Sequence, residues 1–130
     1  MIVYRIENDR GLGPYEEAYL MQFHHEFFRD EDDENRWFLS HPSPWKDPRS
    51  LQRVFKDNNY YNFSKYHCGF STIKQMKAWF DKDNYFHWLH EHGFKLVVYR
   101  GPARYGEYQA IVKKSEAVKI REVSLLNYTN

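Results

Sequence analysis

The sequence predicts an α+β fold, a single domain over 1–130 in which a small, mostly antiparallel sheet carries helices on one side. Three observations predict it. Residues 2–7 alternate in the manner of a strand. Residues 71–93 carry two helical patterns closed by Gly93. Residues 94–100, Phe-Lys-Leu-Val-Val-Tyr-Arg, form the most strand-like run of the chain.

In chain order, Ile2, Tyr4 and Ile6 point one way and Val3, Arg5 and Glu7 the other, which predicts a half-buried strand. Asn8 to Pro14 is turn chemistry, punctuated by Gly11, Gly13 and Pro14. Pro14 suits the first position of a helix over about 15–29. Asp30, Glu31, Asp32, Asp33 and Glu34 follow. Five adjacent acids repel one another, so an exposed turn or loop is expected there. The run lacks the alternating spacing and the glycine of a calcium loop, and no metal is expected. Residues 30–64 read as a long irregular region, because Pro42, Pro44 and Pro48 exclude a helix interior or a central strand. Its aromatics, Trp37 and Trp45 among them, either pack over the core or form a contact surface.

Ser71 or Thr72 caps a helix that carries Ile73, Met76, Trp79 and Phe80. Asp83 is placed to cap a second helix, with Phe86 and Leu89 inward. The strand over 94–100 is expected to pair with one over 107–113. Residues 117–123 read as a last strand, since Val118 and Ile120 alternate with Lys119 and Arg121.

Composition narrows the function classes. Aromatics make up 19 % of the 130 residues, enough to build a core. Cys68 is the sole cysteine, so no intrachain disulfide forms, which fits a reducing compartment. No apolar run has the length of a membrane span, and the N-terminus does not read as a signal peptide. Charge is segregated. Residues 1–64 hold eight Lys/Arg and twelve Asp/Glu, and residues 65–130 hold eleven and six. The expected contact residues for a protein partner are therefore Trp37, Trp45, the acids 30–34 and the loop at Arg104 and Tyr105.

Seven histidines invite a metal reading, but no frame of ligands completes one. The cluster Lys95, Arg100, Arg104, Lys113, Lys114, Lys119 and Arg121, interleaved with Tyr99, Tyr105 and Tyr108, allows nucleic acid as a less favoured partner. One further order of residues carries chemistry. Arg5 on a strand, Ser71 at a helix start, and Glu107 with Gln109 two apart resemble the arginine–serine–glutamate layout of ADP-ribosyltransferases. That resemblance implies NAD as cofactor. Arg5 would hold the phosphates, Ser71 would brace the site, and Glu107 or Gln109 would steady the charge developing on the ribose. The family's pair ends in glutamate, whereas here Gln109 stands second.

Five segments together resemble a family of small bacteriophage proteins. They are Val3-Tyr4-Arg5-Ile6-Glu7, Gly11-Leu12-Gly13-Pro14-Tyr15, His41-Pro42-Ser43-Pro44, Cys68-Gly69-Phe70-Ser71 with Trp79-Phe80, and Gly93-Phe94 to Val98-Tyr99. The resemblance implies an accessory protein made in the cytoplasm of an infected bacterium. Such proteins often occupy a host or defence protein without catalysis, as anti-CRISPR proteins do. Some phage proteins instead modify host targets by ADP-ribosylation.

Overall fold

A computed structural model describes residues 1–14, 27–41, 51, 66–82 and 84–129; the side chains of Glu34, Phe38 and Ser40 are outside that description. The helix expected over 15–29 lies almost wholly outside the described residues, as do the proline run 42–48 and Asp83.

The fold is α+β. Strands β1 (Ile2–Glu7), β3 (Lys95–Arg100) and β6 (Val118–Val123) form one antiparallel sheet in the order β1-β3-β6. Strands β2 (His67–Gly69), β4 (Ala103–Tyr105) and β5 (Ala110–Val112) form a second, in the order β2-β5-β4. The return strand expected over 107–113 is thus short, and it pairs with β2 and β4 rather than with β3. The places beside β3 are taken by β1 and β6.

Two faces of the first sheet are covered. Ile6 and Leu96 meet helices α2 (Ile73–Trp79) and α3 (Tyr85–Glu91) in one core with Met76, Trp88 and Leu89. Val3, Val97 and Tyr99 meet Ala110 and Val112 of the second sheet in another. The first strand is therefore not half-buried as its alternation suggests. Its polar face is covered as well, with Arg5 5 % and Glu7 2 % exposed.

The sheets join where β1 passes Phe70. Tyr4 N donates to Phe70 O at 2.8 Å, and Phe70 N donates to Tyr4 O at 2.7 Å. A Cβ on Gly69 would stand 2.5 Å from Val3 Cγ1 and 2.8 Å from Tyr4 O, so only glycine allows this approach. Gly69→Ala is expected to cost about 1–3 kcal/mol, read from the urea midpoint, because the backbone must part to admit the methyl group.

Helix termini follow capping chemistry. Thr72 Oγ1 accepts from Gln75 N at 3.0 Å and starts α2. Asn84, at φ 68°, precedes α3 in the place expected of Asp83. Gly93 (φ 86°) ends α3; its N–H donates to His90 O and that of Phe94 to Leu89 O, the paired bonds of a Schellman motif.

The acidic run is the main departure from expectation. It opens helix α1 (Glu31–Ser40) instead of forming a turn. Asp30 Oδ1 accepts from Asp33 N at 2.8 Å, and Asp33 Oδ2 accepts from Arg29 N at 3.1 Å. Carboxylates at a helix start satisfy open N–H groups and sit at the positive end of the dipole, which offsets their mutual repulsion. Lys82 Nζ fastens this start to the link between α2 and α3, 3.2 Å from Asp33 and 2.8 Å from Phe27 O. The hydrogen bond from Arg29 N, more than Lys82, pulls the Asp33 carboxyl down to about 2.

At the other end of α1, Trp37 stacks on His41 at 3.9 Å and meets Trp79 edge-on at 6.0 Å. Each ring nitrogen of His41 lies 2.7 Å from a carbonyl oxygen, that of Trp37 and that of Trp79. One buried imidazole therefore bridges the C-terminal turns of α1 and α2.

Candidate functional site

The polar face of β1 supplies the densest chemistry among the described residues. Alternation puts Arg5 and Glu7 side by side, and the second sheet closes over them. Arg5 Nε donates to Glu7 Oε2 at 2.8 Å, Nη1 to Cys68 O at 2.7 Å, and Nη2 to Gly11 O at 3.2 Å. Lys114 Nζ donates to Glu7 Oε2 at 3.0 Å and to Gly11 O at 3.3 Å. The Tyr99 hydroxyl donates to Glu7 Oε1. One carboxylate thus serves two cations and a phenol. The turn at 8–14 lies against the guanidinium, and Asn8 Oδ1 holds it by accepting from Arg10 N and Leu12 N.

Electrostatics follow from this packing. Burial pushes the Glu7 carboxyl up, but Tyr99, Lys114 and Arg5 together outweigh it and hold it below its ordinary value. Burial, then the Glu7 carboxylate as acceptor, raises the Tyr99 phenol. His67 on β2 is pushed down to about 4, first by burial and then by Arg5 and Lys114. Its ring is therefore neutral at pH 7.

A pH dependence follows. Between pH 6.5 and about 4 the unfolded chain protonates His67 and the folded chain does not, so stability falls as pH falls. Glu7, also held low, acts in the same direction at more acid pH. Urea titrations are expected to show a loss of roughly 2 kcal/mol between pH 7 and pH 5, removed in His67→Gln.

The other expected site residues lie as follows. Ser71 sits at the start of α2, where its N–H and Oγ both donate to Gln75 Oε1. Gln75 Nε2 donates to Glu107 O at 3.1 Å, so Ser71 and Glu107 share a neighbourhood through Gln75. Glu107 is exposed and Gln109 is buried. Arg5 is committed to Glu7, Cys68 and Gly11, and its guanidinium holds the two sheets together instead of facing solvent.

Trp37 is a core residue, 6 % exposed, because helix α1 turns it inward onto Trp79; it is not a surface contact. Trp45 lies outside the described residues, as does the Glu34 side chain. Asp30, Glu31 and Asp32 are exposed, whereas Asp33 is paired with Lys82, Arg29 and Arg36. Arg104 and Tyr105 are exposed on β4, and the Tyr105 hydroxyl donates to Ile2 O.

The basic cluster divides. Lys95, Lys113, Lys114 and Lys119 each hold an acid of the same chain. Tyr99 is buried at Glu7 and is no stacking platform. Arg100, Arg104 and Arg121 are exposed and form no ion pair with a described residue. Among the described residues no three His, Cys, Asp or Glu side chains are grouped to hold a metal ion.

The family described as Bacteriophage T4 Y00F protein matches residues 1–126. The chain belongs to that family. The match covers both sheets and all three described helices. No curated protein and no solved structure matches the chain. No described helix is long and apolar enough to cross a membrane.

Sequence reasoning missed Glu7, Lys114, Tyr99 and His67 as members of one cluster. The available signal was the pair Arg5 and Glu7, two apart on a strand and so on one face. The rest arrive from residues 67, 99 and 114, whose approach only the tertiary fold creates.

Proposed function

We propose that this phage protein acts in the cytoplasm of an infected bacterium by binding a protein of the host or of its defences, without catalysis. Occupying a defence component, as anti-CRISPR proteins do, is one form of that action. The reading rests on how the surface cations divide. Lys95, Lys113, Lys114 and Lys119 are each paired with an acid of the chain, while Arg100, Arg104 and Arg121 stand exposed outside any ion pair with a described residue. Val118, the register partner of Arg100, and Ile120, next to Arg121 in the chain, are exposed apolar residues at 67 % and 41 %. Arginine beside apolar surface is a composition that protein interfaces favour.

The buried cluster supports the same reading from the other side. Arg5 and Glu7 satisfy one another in the interior, joined by the partly exposed Lys114, and so serve the scaffold. Affinity capture from a lysate of the bacterial host tests the proposal. One host protein is expected at near-stoichiometric recovery, released as salt rises. Recovery of no protein at any salt contradicts it.

A further inference from the structure

The first sheet ends in β6, and among the described residues no strand pairs with its outer edge. Such an edge presents backbone N–H and C=O groups that a further strand can complete. Register places the side chains around it. Arg100 stands opposite Val118, and Arg121 opposite Val98. Direct partners share a face, and residues two apart on a strand share a face. Arg100, Arg121 and Val118 therefore lie on one side of the sheet, an apolar residue set among cations.

The pairing shifts between Val98 and Tyr99, which leaves Ile120 as an extra residue on β6. That bulge brings Lys119 and Glu122 to the opposite face together, where they pair at 2.9 Å. Glu122 also holds Lys95 at 3.0 Å. The face with Glu122 is thus neutralised within the chain. The face with Arg100 and Arg121 keeps its positive charge.

The geometry points to the outer edge of β6 as the seat of an extended acidic segment of the protein partner, which adds to the sheet as a further strand. This rests on the binding reading above and names the chemistry of the partner. An acidic segment complements Arg100 and Arg121 when its acids fall on their face, and the residues alternating with those acids then lie on the opposite face of the sheet. The bulge and Lys119 blunt the edge against indiscriminate strand pairing, so charge selects the partner. The charge pattern favours a peptide over nucleic acid, because Glu122 and Glu116 lie close by and Lys113, Lys114 and Lys119 are already paired.

The test uses the full chain and a fluorescent octapeptide of alternating glutamate and valine. Controls are the same peptide with lysine for glutamate and a single-stranded oligonucleotide. The acidic peptide is expected to bind and to slow amide hydrogen exchange at 118–123. The double variant Arg100→Glu, Arg121→Glu is expected to weaken binding about tenfold or more, with an unchanged thermal melt. Four results overturn the assignment: no binding of the acidic peptide, equal binding by the double variant, equal or tighter binding of the oligonucleotide, or a self-associated wild type that the double variant dissolves into monomers. The two proposals fail separately. If the double variant still captures the wild type's host partner, the edge assignment fails and the binding reading stands. If the wild type captures none, the binding reading itself fails.

Discussion

Replacing Glu7 by alanine lowers the free energy of unfolding by about 3–5 kcal/mol, measured from urea or guanidinium unfolding at pH 7. The size follows from what the substitution leaves behind. Arg5 stays between two sheets with its main acceptor gone, and Tyr99 loses the acceptor of its hydroxyl. Lys114 suffers less, because its side chain reaches solvent. A buried cation without its anion is far more costly than no pair at all. The joint replacement Arg5→Met, Glu7→Leu is therefore expected to be less damaging than Glu7→Ala alone. If the double variant is the weaker of the two, the ion pair itself is the source of stability and this account of the cluster is wrong.

Trp79→Ala is expected to cost a similar amount, about 3–5 kcal/mol in the same unfolding measurement. Its indole meets Trp37, His41 and Phe70, so truncation opens a cavity where α1 docks on α2. The backbone carbonyl oxygen of Trp79 remains 2.7 Å from His41 Nε2. The loss is therefore one of packing and not of the histidine bridge. Hydrogen exchange is expected to quicken in α1 before it quickens in β3, since β3 is held on both edges by paired strands. A variant with near-normal stability would show that α1 is not anchored through this stack.

These two sites show what the sequence disclosed and what it withheld. Local patterns were legible. The alternation of 2–7, the cap at Thr72, the Gly93 terminus and the strand over 94–100 all appear where the residues indicate. Long-range pairings were not. Strands β2, β4 and β5 span three residues each, too few for a period, and what defines them is the partner each meets. For the same reason the face with Arg5 and Glu7 read as a solvent face. Nothing local announces that a second sheet covers it.

The acidic run shows a different limit. Counting charges predicts repulsion, whereas position at a helix start decides the outcome. Asp30 and Asp33 find N–H groups, and Lys82 arrives from 49 residues away in sequence. Trp37 follows from the same change, because a helix there turns it inward. Among the surface residues foreseen, Arg104 and Tyr105 are exposed as expected. Arg100 and Arg121 were noted only as members of a basic cluster, since ion pairing with Asp9, Glu7, Glu116 and Glu122 is what sets the lysines apart from the arginines.

In the binding proposal the interior cluster builds the scaffold and the β6 surface meets the partner. Side-by-side capture of host protein by the wild type, by Glu7→Gln and by Arg100→Glu with Arg121→Glu tests it most directly, at a temperature where all three are folded by circular dichroism. Glu7→Gln is expected to capture as the wild type does, and the arginine variant is expected to capture little. Loss of capture in folded Glu7→Gln, with capture intact in the arginine variant, would contradict it.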